Sequence, residues 1–152
     1  MKQQTTETAR FGRITYTDGD LVSFDQGLVG FPSLSSFVFI QHKEGSPFRW
    51  MQSVDEADVA FLVVDPAHYV EGYAPEIAET SVESVGIASE TPRLVYTIVS
   101  IPPGKPEEMT LNLAGPIVVN LETGRAKQIV IEDECYPIRH RVFEKKQSEE
   151  AA

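Results

Sequence analysis

The sequence predicts a mainly β fold, a single-domain antiparallel β-roll or barrel-like sheet with one or two short helices. Three observations predict it. Between Phe11 and Ile131, short apolar runs alternate with period two and are punctuated by Gly, Pro, Asn and Asp, the pattern of half-buried strands joined by tight turns. About nine such runs fit into 152 residues, with little that repeats at helical spacing. A sheet of so many short strands tends to curl on itself, because closure removes exposed edges.

The opening residues, MKQQTTETAR, are polar throughout, so residues 1–10 read as a flexible N-terminus, 11–143 as the β domain and 144–152 as a flexible tail. RITYT (Arg13 to Thr17) and LVSF (Leu21 to Phe24) flank the turn-forming Asp18-Gly19-Asp20 and are expected to pair as a first hairpin. QGLVGFP (Gln26 to Pro32) then places Gly30 and Pro32 in a loop, with a helical turn opening at Ser33 or Ser35. Strands follow at FVFIQ (Phe37 to Gln41), FRWMQS (Phe48 to Ser53) and AFLVVD (Ala60 to Asp65), the last closed by Pro66. Trp50, the single tryptophan, falls in this pattern and is expected to pack in the core. From His68 to Glu90 the apolar spacing is irregular, which leaves one short helix over Ala78 to Val85.

RLVYTIVSI (Arg93 to Ile101) is a long, β-branched central strand ended by PPGKP, which cannot continue a ladder. MTLNL, PIVVNL and AKQIVI are expected to form three consecutive antiparallel strands after it. Within them NLAGPIVVN opens and closes on asparagine, a residue depleted from strands, and is broken by Gly-Pro. The break reads as a corner or bulge, since Gly permits unusual backbone angles and Pro116 lacks a ladder donor. Asn112 and Asn120 point away from their apolar neighbours and are expected to bind nearby loop backbone, a structural rather than catalytic role.

The composition narrows the function. Asp and Glu total 23 against 13 Lys and Arg, a net charge of −10, which disfavours direct nucleic-acid binding. RHRVFEKK (Arg139 to Lys146) is the densest basic stretch, and two glutamates soon follow it. The window Trp50 to Pro92 holds nine carboxylates and no Lys or Arg. Such a one-sign field is either a solvated face or a surface that steers a basic partner. No apolar run approaches the ~20 residues of a membrane span, and no secretory signal is visible. The lone thiol, Cys135, expected in a half-buried turn or strand end, suits a reducing compartment, so a cytoplasmic location is expected.

Enzyme chemistry finds little support. His42, His68 and His140 lie far apart with no metal-ligand spacing, and Gly27 and Gly30 precede no phosphate-binding Lys-Ser/Thr pair. No G-x-S-x-G elbow occurs, and Cys135 has no cation next to it in sequence. With 23 acids, adjacent pairs such as Asp55-Glu56 arise without any catalytic role. No metal, cofactor or catalytic residue is therefore expected. A small carboxylate-dependent hydrolase remains the alternative from the enzyme class.

The motifs GLVGFP (Gly27 to Pro32), FRWMQS, AFLVVDP (Ala60 to Pro66), RLVYTIVSIP, NLAGPIVVN, KQIVI (Lys127 to Ile131) and YPIRH (Tyr136 to His140) occur in one order over Phe11 to Phe143. In that order they resemble the flagellar assembly factor FliW family. The resemblance implies a non-enzymatic protein that binds CsrA, an RNA-binding translational repressor, and alternatively binds flagellin. It further implies partner exchange: CsrA is held off flagellin mRNA until unexported flagellin captures the factor. An export chaperone without a regulatory role is the other reading of the same resemblance. The acidic residues expected to face CsrA are Asp55, Glu56, Asp58, Glu71, Glu76, Glu79 and Glu83. A flagellin-binding apolar groove is expected at Phe31, Leu34 and Phe37. The free protein is expected to be a monomer, since self-association brings like charges together.

Overall fold

A computed structural model describes residues 3–41 and 43–143, apart from the side chain of Glu79. Its strands are β1 (Gln3–Thr8), β2 (Gly12–Thr17), β3 (Leu21–Phe24), β4 (Ser36–Gln41), β5 (Phe48–Ser53), β6 (Ala60–Val64), β7 (Arg93–Ser100), β8 (Thr110–Leu111), β9 (Ile117–Asn120), β10 (Arg125–Gln128) and β11 (His140–Arg141). One short helix, α1, spans Glu79–Glu83. Strands β3 to β7 pair in succession, β7 pairs with β9, β9 with β10, and β10 returns to β3, which closes a seven-strand barrel. Six of these seven pairings are antiparallel, and the closing β10–β3 pair is parallel.

Alternation decides which side chains enter the barrel. On β7, Leu94, Tyr96 and Ile98 point inward, while Val95 lies on the other face. Phe24, Phe37, Met51, Val63, Ile117 and Val119 complete the interior, with Phe37, Met51, Val63 and Ile117 fully buried. Each such side chain contributes roughly 1.5–3 kcal/mol through burial. A second apolar cluster, Val82, Val85, Ile87, Val118, Ile129 and Ile131, lies where α1 and its flanks cover the outside of β9 and β10. A third gathers Val64, Val99, Met109, Leu111 and Leu113 beneath Tyr69, Val70 and Tyr73.

Several expectations are corrected here. Residues 3–8, expected to be a flexible arm, form β1, whose six residues pair antiparallel with β2. The expected hairpin between 13–17 and 21–24 does not exist. Asp18–Asp20 instead form a 3-10 turn in which the Asp20 carboxylate accepts from the Thr17 N–H (2.9 Å) and hydroxyl (3.2 Å). That turn sends β3 to β4, while β2 takes the threonine-rich β1, whose β-branched residues suit a strand without any apolar face.

The three strands expected after Ile101 are arranged differently as well. β8 and β9 are not neighbours; both run antiparallel to β7, with Leu111 opposite Val99 and Ile117 opposite Tyr96. Two β7 residues therefore face the five residues 112–116, a bulge with three extra residues. A Cβ at Gly115 would lie 2.8 Å from Gln128 Nε2 and 2.9 Å from Asn112 Nδ2, so a larger residue there would displace these two side-chain amides. In the Gln26–Pro32 loop, Gly27 has φ +69°, and a Cβ would meet the Pro32 carbonyl oxygen at 2.5 Å.

Candidate functional site

The acidic window maps mainly to the segment 65–92, a strap that leaves the end of β6 and returns to the start of β7. Asp65 starts it by accepting the Ala67 N–H (2.9 Å) at a 3-10 turn, Pro66–His68. Tyr73 then anchors it: its hydroxyl donates to the Leu113 carbonyl at 2.6 Å, and its ring meets Tyr136 edge-on, centroids 4.8 Å apart. Burial, followed by the neighbouring Tyr136, pushes the Tyr73 phenol above its ordinary range.

A five-residue helix such as α1 is too short to persist alone. It is held from below by Val82 and by three donors that take the carbonyls around its C-terminal end. Lys127 Nζ donates to Ser81 O (2.8 Å), Arg125 to Ser84 O, and Asn120 Nδ2 to Val85 O (2.7 Å). Two of these donors are cations at the negative end of a helix, the favourable arrangement. Arg93 likewise turns onto its own loop, donating to the carbonyls of Ala88, Ser89 and Thr91. The nearby cations thus address backbone carbonyls.

The carboxylates are left facing solvent. Glu71, Glu76 and Glu83 are exposed, and no cation among the described residues pairs with them; the two ion pairs there are Arg13–Glu7 and Arg125–Asp25. Glu79 opens α1, while its side chain lies outside the described residues. Asp55, Glu56 and Asp58 are exposed in the β5–β6 turn, at the other end of β6. Five strand residues, about 17 Å at ~3.3 Å each, separate the two groups. The carboxylates expected to form one surface are therefore two. Asp55 also has a structural task, accepting the N–H groups of Ser35 (3.2 Å) and Ser36 (3.1 Å).

One acidic run joins the strap that the sequence reading missed. Glu132, Asp133 and Glu134 are exposed on the loop that ends at Tyr136, whose hydroxyl accepts the Ala74 N–H at 3.2 Å. That contact ties the loop to the residues between Glu71 and Glu76. Three consecutive acids after a strand were the available signal.

Of the expected apolar groove, only Phe31 is accessible, at 45% exposure, with Val29 nearby at 61%. Leu34 and Phe37 are buried barrel-core residues and are corrected as such. Phe31 packs edge-on against Phe61, and Gly30 (φ +88°) makes the tight turn that lets Leu28 and Phe31 exchange backbone hydrogen bonds. Trp50 is also outside the core; it is half-buried against Phe11, with the Arg10 guanidinium 4.1 Å from its ring centre. Cys135 is exposed rather than half-buried. Asn112 accepts the Ala114 N–H (3.1 Å), and buried Asn120 accepts that of Glu122 (2.8 Å), besides holding Val85. Pro116 is the last residue of the bulge, its carbonyl accepting from Ile129 N–H.

Among the described residues no cluster of three His, Cys, Asp or Glu side chains has metal-binding geometry, and no helix is long and apolar enough to cross a membrane. His68 and His140 lie on separate elements, and His42 is outside the described residues, as is the tail 144–152.

Comparison with known proteins places this geometry. Residues 5–142 match the family model described as FliW protein. Flagellar assembly factor FliW of Leptospira biflexa is 35% identical over 140 residues, covering 92% of each chain. That of Caldanaerobacter subterraneus is 38% identical over 138 residues, covering 90% of this chain and 91% of the relative. A crystal structure of the flagellar assembly factor FliW superposes with a TM-score of 0.85 at 29% identity, over 94% of this chain and 99% of that one.

Proposed function

The chain belongs to the FliW family, and from that premise we propose that it is a non-enzymatic flagellar assembly factor that binds the translational regulator CsrA through its acidic strap. The observation that carries this is that, among the described residues, no cation pairs with the exposed Glu71, Glu76 and Glu83, in a chain of net charge −10. An RNA-binding repressor must present positive surface to phosphates, and unpaired carboxylates on a rigid support steer it and select its sign. Binding holds CsrA away from flagellin mRNA. Flagellin is the competing partner, and as it accumulates it draws the factor away by mass action, so CsrA represses again.

The test reverses Glu71, Glu76 and Glu83 to lysine together and follows association with purified CsrA at two salt concentrations. The expected outcome is an association rate at least tenfold lower and a flatter salt dependence. An unchanged rate and slope would reject the assignment. The same protein should unfold within about 1.5 kcal/mol of wild type, because each of three exposed substitutions changes stability by no more than about 0.5 kcal/mol.

A further inference from the structure

Two clefts open along the strap, and they share walls. One, about 390 Å³, runs between α1 and the outer face of the barrel and is lined by Val82, Glu83, Ala88 and Val118 among others. The other, about 370 Å³, lies under the first half of the strap and includes Ala67, Val70 and Glu71. Both are bounded by Ile77 and Val95. Val95 and Val118 are cross-strand partners on the outward face of β7 and β9. The clefts are therefore successive parts of one groove, with an apolar floor and carboxylates on its rim.

We propose that this groove seats a short segment of the basic partner, one in which aliphatic side chains alternate with Lys or Arg. This rests on the reading that the strap binds CsrA. The aliphatic groups enter the two clefts, and the cations meet Glu71 over one and Glu83 over the other. Charge fixes the occupant: among the described residues, the one cation lining either cleft is Arg93, and it is turned onto the Ala88, Ser89 and Thr91 carbonyls. An acidic or purely apolar segment would leave the rim carboxylates facing like charge or desolvated without a partner. The acid-only reading of the strap gives steering; the groove adds the desolvated anchors that set residence time.

The experiment fills the groove while leaving its rim carboxylates in place. Ala67 and Ala88 are exposed at its two ends, so Ala67→Trp and Ala88→Trp lay a ring over each cleft with the core unchanged. Dissociation of purified CsrA from the full chain is measured for wild type and both variants, with purified flagellin in parallel and unfolding midpoints as the control. Should Ala88→Trp fail to fold, Ala88→Arg, which places a like charge before the basic partner, replaces it. The expected result is CsrA release at least tenfold faster in each variant, with midpoints unchanged. CsrA release within twofold of wild type overturns the groove and leaves the acidic-strap reading standing. Loss of flagellin binding with CsrA binding intact overturns the choice of occupant. Absence of any complex between wild type and CsrA overturns both.

Discussion

The barrel and the strap are stabilised in different ways. The barrel interior is apolar, with Phe24 and Phe37 packed edge to face at 5.5 Å, and its backbone hydrogen bonds are satisfied by the sheet. The strap has a helix of five residues and long stretches without regular structure. Its backbone is held by side chains from outside it: Asn120, Arg125 and Lys127 from the barrel strands on one side, and Tyr136 from the loop after β10 on the other. A closed sheet thus serves as a rigid frame, and its outward polar side chains fix an otherwise irregular segment. Among the described residues, Arg93, Arg125 and Lys127 donate to backbone carbonyls of the strap, while Glu71, Glu76 and Glu83 stay in solvent.

Phe37→Ala tests the barrel half of that contrast and should have the largest effect. Phe37 is fully buried, so the variant should lose about 3–5 kcal/mol in denaturant unfolding. Phe31→Ala, on an exposed loop, should cost under about 1 kcal/mol. Asn120→Ala tests the anchoring half. It removes two hydrogen bonds and leaves the Val85 carbonyl and the Glu122 N–H without that partner, which should cost about 2 kcal/mol. Amide exchange should then quicken in residues 79–92 before it does in β4 to β7.

Tyr73→Phe sharpens the comparison with a smaller effect than Asn120→Ala. The lost bond to Leu113 should cost about 1 kcal/mol at neutral pH. It should also change the alkaline limit. Burial raises the Tyr73 pKa above the ~10 of the unfolded chain, so the folded state keeps a proton that the unfolded state releases. Stability from this group is complete below pH about 10 and falls as pH rises beyond it. Unfolding midpoints measured from pH 8 to 11 should drop less steeply for the variant than for wild type.

How far the sequence revealed all this depended on whether the signal was local. β5, at Phe48–Ser53, was legible to the residue because its apolar run is bounded by turn formers. The corner at Gly115-Pro116 and the bonds of Asn112 to Ala114 N–H and Asn120 to Glu122 N–H were legible because they follow from local chemistry, whereas the bond from Asn120 to Val85 spans 35 residues. β1 was not, since Gln3–Thr8 carries no apolar face to betray a strand. The parallel closure of β10 on β3 joins residues about 100 apart, which no short-range pattern encodes. Leu34 and Phe37 show the same limit at the candidate site, where an apolar run reveals that something is buried but not which side chains stay outside. The acids at Glu132–Glu134 became relevant only through the contact between Tyr136 and Ala74, 62 residues apart.

The most direct test of the strap as the partner-binding surface is hydrogen exchange of the full chain with and without saturating CsrA. Slowed exchange concentrated in residues 65–93, with the 25–35 loop and the β1–β2 hairpin unchanged, is the result predicted here. Protection confined to that loop or hairpin, with the strap exchanging as in the free protein, would contradict it.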